Sequence, residues 1–313
     1  MDGFLTVGRF APSPSGRLHL GNILTSLLAW LDVRHDGGRL IFRLEDLDPL
    51  RSYPDYAALM AEDLLWLGLD WDDGWRPGEG AEYTQGARTA LYQDAFDQLS
   101  GRGLVYPCYC SRAQRLAASA PHPGDVSDTG CRCRGLTPAQ RAALEKAGKR
   151  PAWKIHVPDK TIPFTDGHYG RQDIPLSDEG DFIIRRSDGV FAYQLAVSVD
   201  DAAMGVTRVV RARDLLSSAA RQIWLIGELG GTPPDYCHAP LLTAPDGRKL
   251  SKREGDLNME FLRQRCTAEE LTGILAHMAG LRPTDAPVPA AALAADFDWA
   301  RVKKEDILIT IYN

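Results

Sequence analysis

Apolar positions along the chain fall into two rhythms. FLTVGRF (4–10) is a nearly continuous apolar run of strand length and predicts a buried strand. Beyond a Pro/Ser/Gly stretch, Leu24, Leu27, Leu28 and Leu31 recur at helical spacing. They predict a helix that starts near Gly21 and stops at Gly37-Gly38. RLIFRLED (39–46) predicts the next strand, so the opening is a βαβ unit and the sheet parallel. Helices are expected around 54–67 and 87–100. Residues 105–180 lose this order: they are rich in Pro, Gly, Cys and short polar runs, with one helical stretch near 137–148. From 181 strand-like runs return. FIIRRSDGVFAYQLAVSVDD predicts two strands around a hairpin turn at Ser187-Asp188-Gly189. VTRVVR predicts a further strand, 214–229 a helix, and YCHAPLLT a strand leading into the loop DGRKLSKREG. The remainder predicts helix, with a Pro/Ala-rich break at 282–295, and no internal repeat is visible.

The pattern is that of an α/β protein: two halves of a doubly wound sheet around an insertion. A chain of 313 residues has room for one large domain and a smaller module. Its 44% apolar and 25% charged residues are ordinary for a globular protein. No apolar run approaches the ~18 residues of a membrane helix. The first ten residues lack the basic-then-apolar order of a secretory signal, so a cytoplasmic location is expected. A net charge of −6 excludes a global polycation. Any contact with RNA must use a local basic face.

Four of the six cysteines form two Cys-x-Cys pairs, Cys108/Cys110 and Cys131/Cys133. In a reducing compartment such pairs point to metal before disulfide. Four thiolates make a tetrahedral set for one structural zinc that would staple a loop-rich insertion. Cys237 and Cys266 stand alone and are expected in the core.

Two loops carry candidate chemistry. GRFAPSPSGRLHLGN lies between the first strand and a helix N-terminus, where free N–H groups and partial positive charge suit a phosphate. Gly16 and Gly21 allow close backbone approach, His19 offers a donor, and Arg9 leaves the strand end able to grip a carboxylate. Lys249-Leu250-Ser251-Lys252-Arg253 follows a Pro-Asp-Gly turn. Taken singly, the first is a connector and the second a solvated basic loop.

Together they resemble the two signatures of class I aminoacyl-tRNA synthetases, and among these the glutamate branch. Asn22 stands where the first signature ends in His, and Arg253 where the second commonly has a small residue. The resemblance implies a class I Rossmann-like parallel sheet and an ATP site of His19, Gly21, Asn22, Lys249, Ser251 and Lys252. Lys252 and His19 would be the catalytic groups, with Mg2+ accompanying the ATP. Lysines aimed at the α-phosphorus would stabilise the charge that develops as a carboxylate attacks it.

The likeness to glutamyl-tRNA synthetases spans roughly residues 5–260. It implies an L-glutamate pocket in which Arg9 binds a carboxylate, expected to be the side chain's. Phe10, Ala11, Pro12 and Ser13 would line that pocket, Glu45 would hold the α-amino group, Tyr193 would close it, and Arg211 would be a second cation. Glutamate has two negative groups and one positive one, and two arginines with one glutamate complement them. Ala212-Arg213-Asp214 departs from the family's Gly-Glu-Asp. The family often completes its zinc set through a Tyr and a later Cys, but no Tyr lies between Cys110 and Cys131. A four-cysteine site is therefore expected, with His122 as a substitute ligand.

Full-length members continue into helical domains that read the anticodon, whereas this chain ends at Asn313. The expectation is a short branch of the family, which transfers activated glutamate to queuosine in the anticodon loop of tRNA(Asp). The implied partners are ATP, L-glutamate and that tRNA, without a membrane, and the chain is expected to be a monomer. The expected division is a first catalytic half (1–104), a zinc-bearing insert (105–180), a second catalytic half (181–256) and a helical C-terminal region (257–313). Two other readings are a truncated enzyme charging a tRNA 3′ end and a non-catalytic, synthetase-derived RNA-binding zinc protein.

Overall fold

A computed structural model of the protein describes residues 5–110, 131–244 and 257–309. Strands β1 (Val7–Phe10), β2 (Arg39–Phe42) and β3 (Asp73–Gly74) pair in parallel in the order β1-β2-β3. Helix α1 (Leu20–His35) makes the crossover between the first two. Its Leu20, Ile23, Leu24, Leu27, Leu28 and Leu31 are all buried, because sheet and C-terminal helices cover it from several sides. A methyl on Gly8 would sit 2.4 Å from Val33 Cγ2, so the helix lies very close against β1. Helices α2 (Pro54–Trp66) and α3 (Thr89–Gly101) fall where the periodicity puts them.

Next comes an antiparallel sheet of β4 (Val105–Cys108), β5 (Ala152–Ile155) and β8 (Phe182–Arg185), with α4 (Pro138–Lys146) nearby in sequence. Between β5 and β8 runs a regular hairpin, β6 (Thr161–Asp166) and β7 (Gly170–Pro175), in a stretch whose sequence shows only irregular polar runs. The parallel order resumes with β9 (Arg208–Ala212) and β10 (Asp235–Ala239). β9 lies beside β1: Thr207 N donates to Val7 O at 2.9 Å, and Val7 N to Thr207 Oγ1 at 2.9 Å. The spatial order is therefore β3-β2-β1-β9-β10, and the winding reverses between β1 and β9. A crevice opens at the carboxyl ends of strands at such a switch point.

Two expectations are corrected. The run beginning at Tyr193 is not a strand but helix α5 (Tyr193–Ala203), after a tight turn closed by Arg186 N to Val190 O at 2.8 Å. Alternating Val197 and Val199 suggested a strand. Burial of Leu195, Ala196, Val197, Ser198, Asp200 and Asp201 instead follows a helix packed on both sides. The C-terminal stretch is not wholly helical either. After a short helix at Met259–Arg263 and a longer one at Ala268–Ala279, β12 (Ile307–Leu308) returns to pair in parallel with β11 (Leu242–Thr243). Helix α6 (Leu216–Glu228) packs its Ala220, Trp224 and Leu225 into a second core shared with α3 and α5. Cys237 is fully buried and Cys266 packs against the main core, as expected. No helix among the described residues is long and apolar enough to cross a membrane.

Candidate active site

A cleft of about 530 Å³ opens at the switch point. Arg9, Phe10, Ala11, Pro12, Ser13, His19, Gly21, Asn22, Glu45, Tyr193 and Arg211 all line it. These are the described members of the residue set read from the sequence, brought together from β1, α1, the end of β2, α5 and β9.

His19 is the N-cap of α1. Its Nδ1 accepts from Gly21 N at 3.1 Å and Asn22 N at 3.3 Å, while Asn22 Oδ1 accepts from His19 N at 3.2 Å. This reciprocal cap explains Asn22: its short amide closes the box back onto the backbone. A ring whose Nδ1 accepts carries its proton on Nε2, which makes that atom a donor. A Cβ at Gly21 would stand 3.1 Å from His19 Cε1, so a side chain there would push the capping ring aside by a few tenths of an ångström.

Behind the cleft lies a buried ion network that the sequence reading missed. Arg43, fully buried, donates from Nη1 to Asp201 Oδ1 at 2.6 Å and from Nη2 to Glu45 Oε1 at 3.2 Å. Arg9 Nη1 donates to Val210 O at 3.2 Å, and its Nε stands 3.5 Å from Asp201 Oδ1. Asp200 accepts from Arg88 Nε at 2.6 Å, Gln85 Nε2 at 2.9 Å and Tyr92 OH at 2.9 Å. Burial pushes the Asp201 carboxyl up, but Arg43 and then Arg9 more than reverse this, so it stays below the usual carboxylate range. For Glu45 burial wins over Arg43 and Arg9, and its carboxyl is held above its usual value. A cation arriving in the cleft would bring it back down. The signals available in sequence were Arg43 beside Glu45 in RLED and the Asp pair ending SVDD, but nothing local marks them as partners.

Arg211 is held differently. Its Nε donates to His238 Nε2 at 3.0 Å, Nη1 to Gln222 Oε1 at 2.6 Å and Nη2 to Leu215 O at 3.0 Å. Its guanidinium carbon lies 4.9 Å from the Tyr236 ring centroid. Among the described residues these acceptors are all neutral. Tyr193 begins α5 rather than lying in the expected strand, and burial raises its phenol pKa, leaving a neutral hydroxyl.

Lys249, Ser251 and Lys252 lie outside the described residues. The chain on either side of them is placed. Leu242 lines the cleft, and Asn258 forms an antiparallel bridge with His19, backed by Met259 N to Leu18 O at 3.0 Å.

A second candidate centre lies at β4. The sulfurs of Cys108, Cys110, Cys131 and Cys133 all lie within 4.8 Å of one another, with separations of 3.6 Å (108–131), 3.8 Å (110–131) and 3.6 Å (110–133). A tetrahedron of thiolates about 2.3 Å from a zinc ion has edges of about 3.8 Å. The residues therefore fit one zinc, which would take four sulfurs and leave no open position. Tyr109 N donates to Cys133 Sγ at 3.3 Å, as outer-shell support does at such sites. His122 lies outside the described residues.

A helix N-terminus facing a switch-point cleft, with a cationic and acidic pocket beside it, is the arrangement of an α/β enzyme site. The family model for the catalytic domain of class I tRNA synthetases (E and Q) matches residues 6–278. The chain belongs to that family and is a ligase of it. A glutamyl-Q tRNA(Asp) synthetase of Symbiobacterium thermophilum is 49% identical over 310 residues, covering 96% of this chain and 95% of that protein. Within the family, the chain therefore stands with the glutamyl-Q tRNA(Asp) synthetases. A glutamate–tRNA ligase of Acidithiobacillus ferrooxidans is 44% identical over 82% of this chain and 54% of its own length. The fold is that of the glutamate–tRNA synthetase structure from Elizabethkingia anophelis, with a TM-score of 0.82 over 98% of this chain and 68% of that one at 24% identity.

Proposed function

We propose that the protein activates L-glutamate with ATP as glutamyl-adenylate and transfers the glutamyl group to queuosine in the anticodon loop of tRNA(Asp). The observation that carries this is the charge pattern of the cleft. Two buried guanidinium groups, Arg9 and Arg211, and one enclosed carboxylate, Glu45, mirror the charges of glutamate beside the capped N-terminus of α1.

In this reading Glu45 takes the substrate ammonium, which suits a carboxylate whose burial is incompletely offset by arginine. Of the two arginines, Arg9 has Asp201 at 3.5 Å while Arg211, among the described residues, hydrogen-bonds only to neutral acceptors, so Arg211 is the stronger anchor for a carboxylate. Tyr193 covers the pocket. The α-carboxylate attacks the α-phosphorus of ATP and pyrophosphate leaves. His19 Nε2–H and the α1 N-terminus face the phosphates, joined by Lys249, Ser251 and Lys252. Mg2+ would enter with ATP. A queuosine hydroxyl then attacks the adenylate carbonyl and AMP leaves, with positioning supplying most of the acceleration. The four-cysteine centre holds zinc and fixes the insert.

The test is incubation with labelled glutamate, ATP and queuosine-containing tRNA(Asp). Label in the anticodon loop is the expected result. Label at the 3′-terminal adenosine would instead establish ordinary charging, the reading that the likeness to a glutamate–tRNA ligase favours. Absence of glutamate-dependent pyrophosphate exchange would overturn both.

A further inference from the structure

The hairpin β6–β7 ends its first strand at Asp166, and this side chain is sealed at 1% exposure. Its Oδ1 accepts three backbone N–H groups: His168 at 3.0 Å, Tyr169 at 2.8 Å and His238 at 3.3 Å. Its Oδ2 lies 2.5 Å from His238 Nδ1. The hairpin is seated on β10 by Gly167 N to Tyr236 O at 2.8 Å, and a methyl on Gly167 would meet Cys237 Sγ at 3.1 Å. The carboxylate is thus delivered at a fixed place behind β10, facing a fully buried imidazole.

The other face of that imidazole touches Arg211. An arginine Nε always carries hydrogen, so His238 Nε2 must be bare to accept from it at 3.0 Å. The carboxylate is what enforces this, because it accepts only and draws the ring's proton to Nδ1. Gln222 completes the frame: its Oε1 accepts from Arg211, and its Nε2 donates to Gln194 Oε1 at 2.8 Å. Arg211 is therefore gripped on three of its five N–H groups by neutral acceptors, and among the described residues no carboxylate hydrogen-bonds to it.

We infer that Asp166 and His238 are positioning residues for Arg211: the hairpin carboxylate fixes the His238 tautomer, and His238 aims the guanidinium at the carboxylate of the bound amino acid. This rests on the reading of the cleft as a glutamate site. Burial and the nearby Arg211 charge hold the His238 pKa below its ordinary value against the pull of Asp166, consistent with a neutral ring.

Asp166→Asn is the informative change because it keeps the shape. Three backbone N–H groups at Oδ1 compel the amide oxygen to stay there, so the amide NH2 faces His238 Nδ1. The ring must then accept at Nδ1 and carry its proton on Nε2, where it meets the Arg211 N–H donor to donor. The KM for glutamate in pyrophosphate exchange should rise about ten- to hundredfold, the worth of one charge-assisted hydrogen bond. The KM for ATP should hold. His238→Gln added to Asp166→Asn should recover part of the loss, since an amide oxygen at 238 accepts from Arg211 without a tautomer. Nitrogen-15 NMR of the wild-type histidines should show His238 protonated on Nδ1 alone. An unchanged glutamate KM in folded Asp166→Asn protein, or a wild-type His238 protonated on Nε2, would overturn the inference. If the variant does not fold, the wild-type NMR measurement decides. Failure of the wild type to exchange with glutamate would instead reject the glutamate reading and leave the NMR result to judge the tautomer.

Discussion

Asp201→Asn offers the sharpest measure of what the buried network contributes. Behind the cleft, Arg9, Arg43 and Arg88 face Glu45, Asp200 and Asp201, three charges against three. Asparagine keeps the volume at 201 but removes one negative charge that serves two guanidinium groups, Arg43 at 2.6 Å and Arg9 at 3.5 Å. Leaving a buried cation uncompensated costs about 3–5 kcal/mol. At roughly 2 °C per kcal/mol for a chain of this size, Tm should fall by roughly 6–10 °C. The pH dependence has a definite sign. The Asp201 carboxyl is held below its ordinary 3.8 in the folded state. The unfolded chain therefore takes up the proton first, and the contribution is complete above about pH 4 and lost as pH falls through the lower folded value. The gap in Tm between wild type and variant should be full at neutral pH and shrink below pH 4. Asp173→Asn is the control, because the Arg171–Asp173 pair is exposed on the hairpin and its loss should leave Tm unchanged. Thermal unfolding of the three proteins across pH checks this. If Asp201→Asn melts no lower than Asp173→Asn, the network is not what holds α5 against β2.

Zinc removal should act on the insert: one zinc per chain is expected by elemental analysis, and chelation or Cys110→Ser should loosen residues 131–155 in hydrogen exchange while leaving α1 protected. Asn22→Ala deletes half of the reciprocal cap on α1 and should cost about 0.5–1 kcal/mol by denaturant unfolding, with a rise in the KM for ATP. Gly8→Ala should cost about 1–3 kcal/mol, since its methyl would overlap Val33 Cγ2, and a neutral outcome would show that α1 can shift off the sheet.

The opening βαβ unit and the helices at 54–66 and 89–101 were legible because each carries its own apolar period and its own stop. So were the grouping of the first loop's residues around one cleft and the clustering of the four cysteines, because side-chain types at short spacing carry both; the second loop lies outside the described residues. The helix at 193–203 was not legible. Its β-branched alternation points one way locally, and burial on both sides, which no local pattern reports, decides the other. Nor was the hairpin 161–175, whose exposed positions are polar and whose purpose lies in what it touches.

By itself, then, the sequence determined the parallel sheet, the helix that follows the first loop and the kinds of charge the pocket offers, because these follow from short-range periodicity and side-chain chemistry. Tertiary structure alone decided how those charges are spent. Arg43 meets Asp201 across 158 residues and Asp166 meets His238 across 72. In a buried site the partner, not the residue type, decides whether a guanidinium is bonded to carboxylates, as with Arg43, or to neutral acceptors among the described residues, as with Arg211. Low dielectric makes that difference large, and only the folded chain brings such partners within reach.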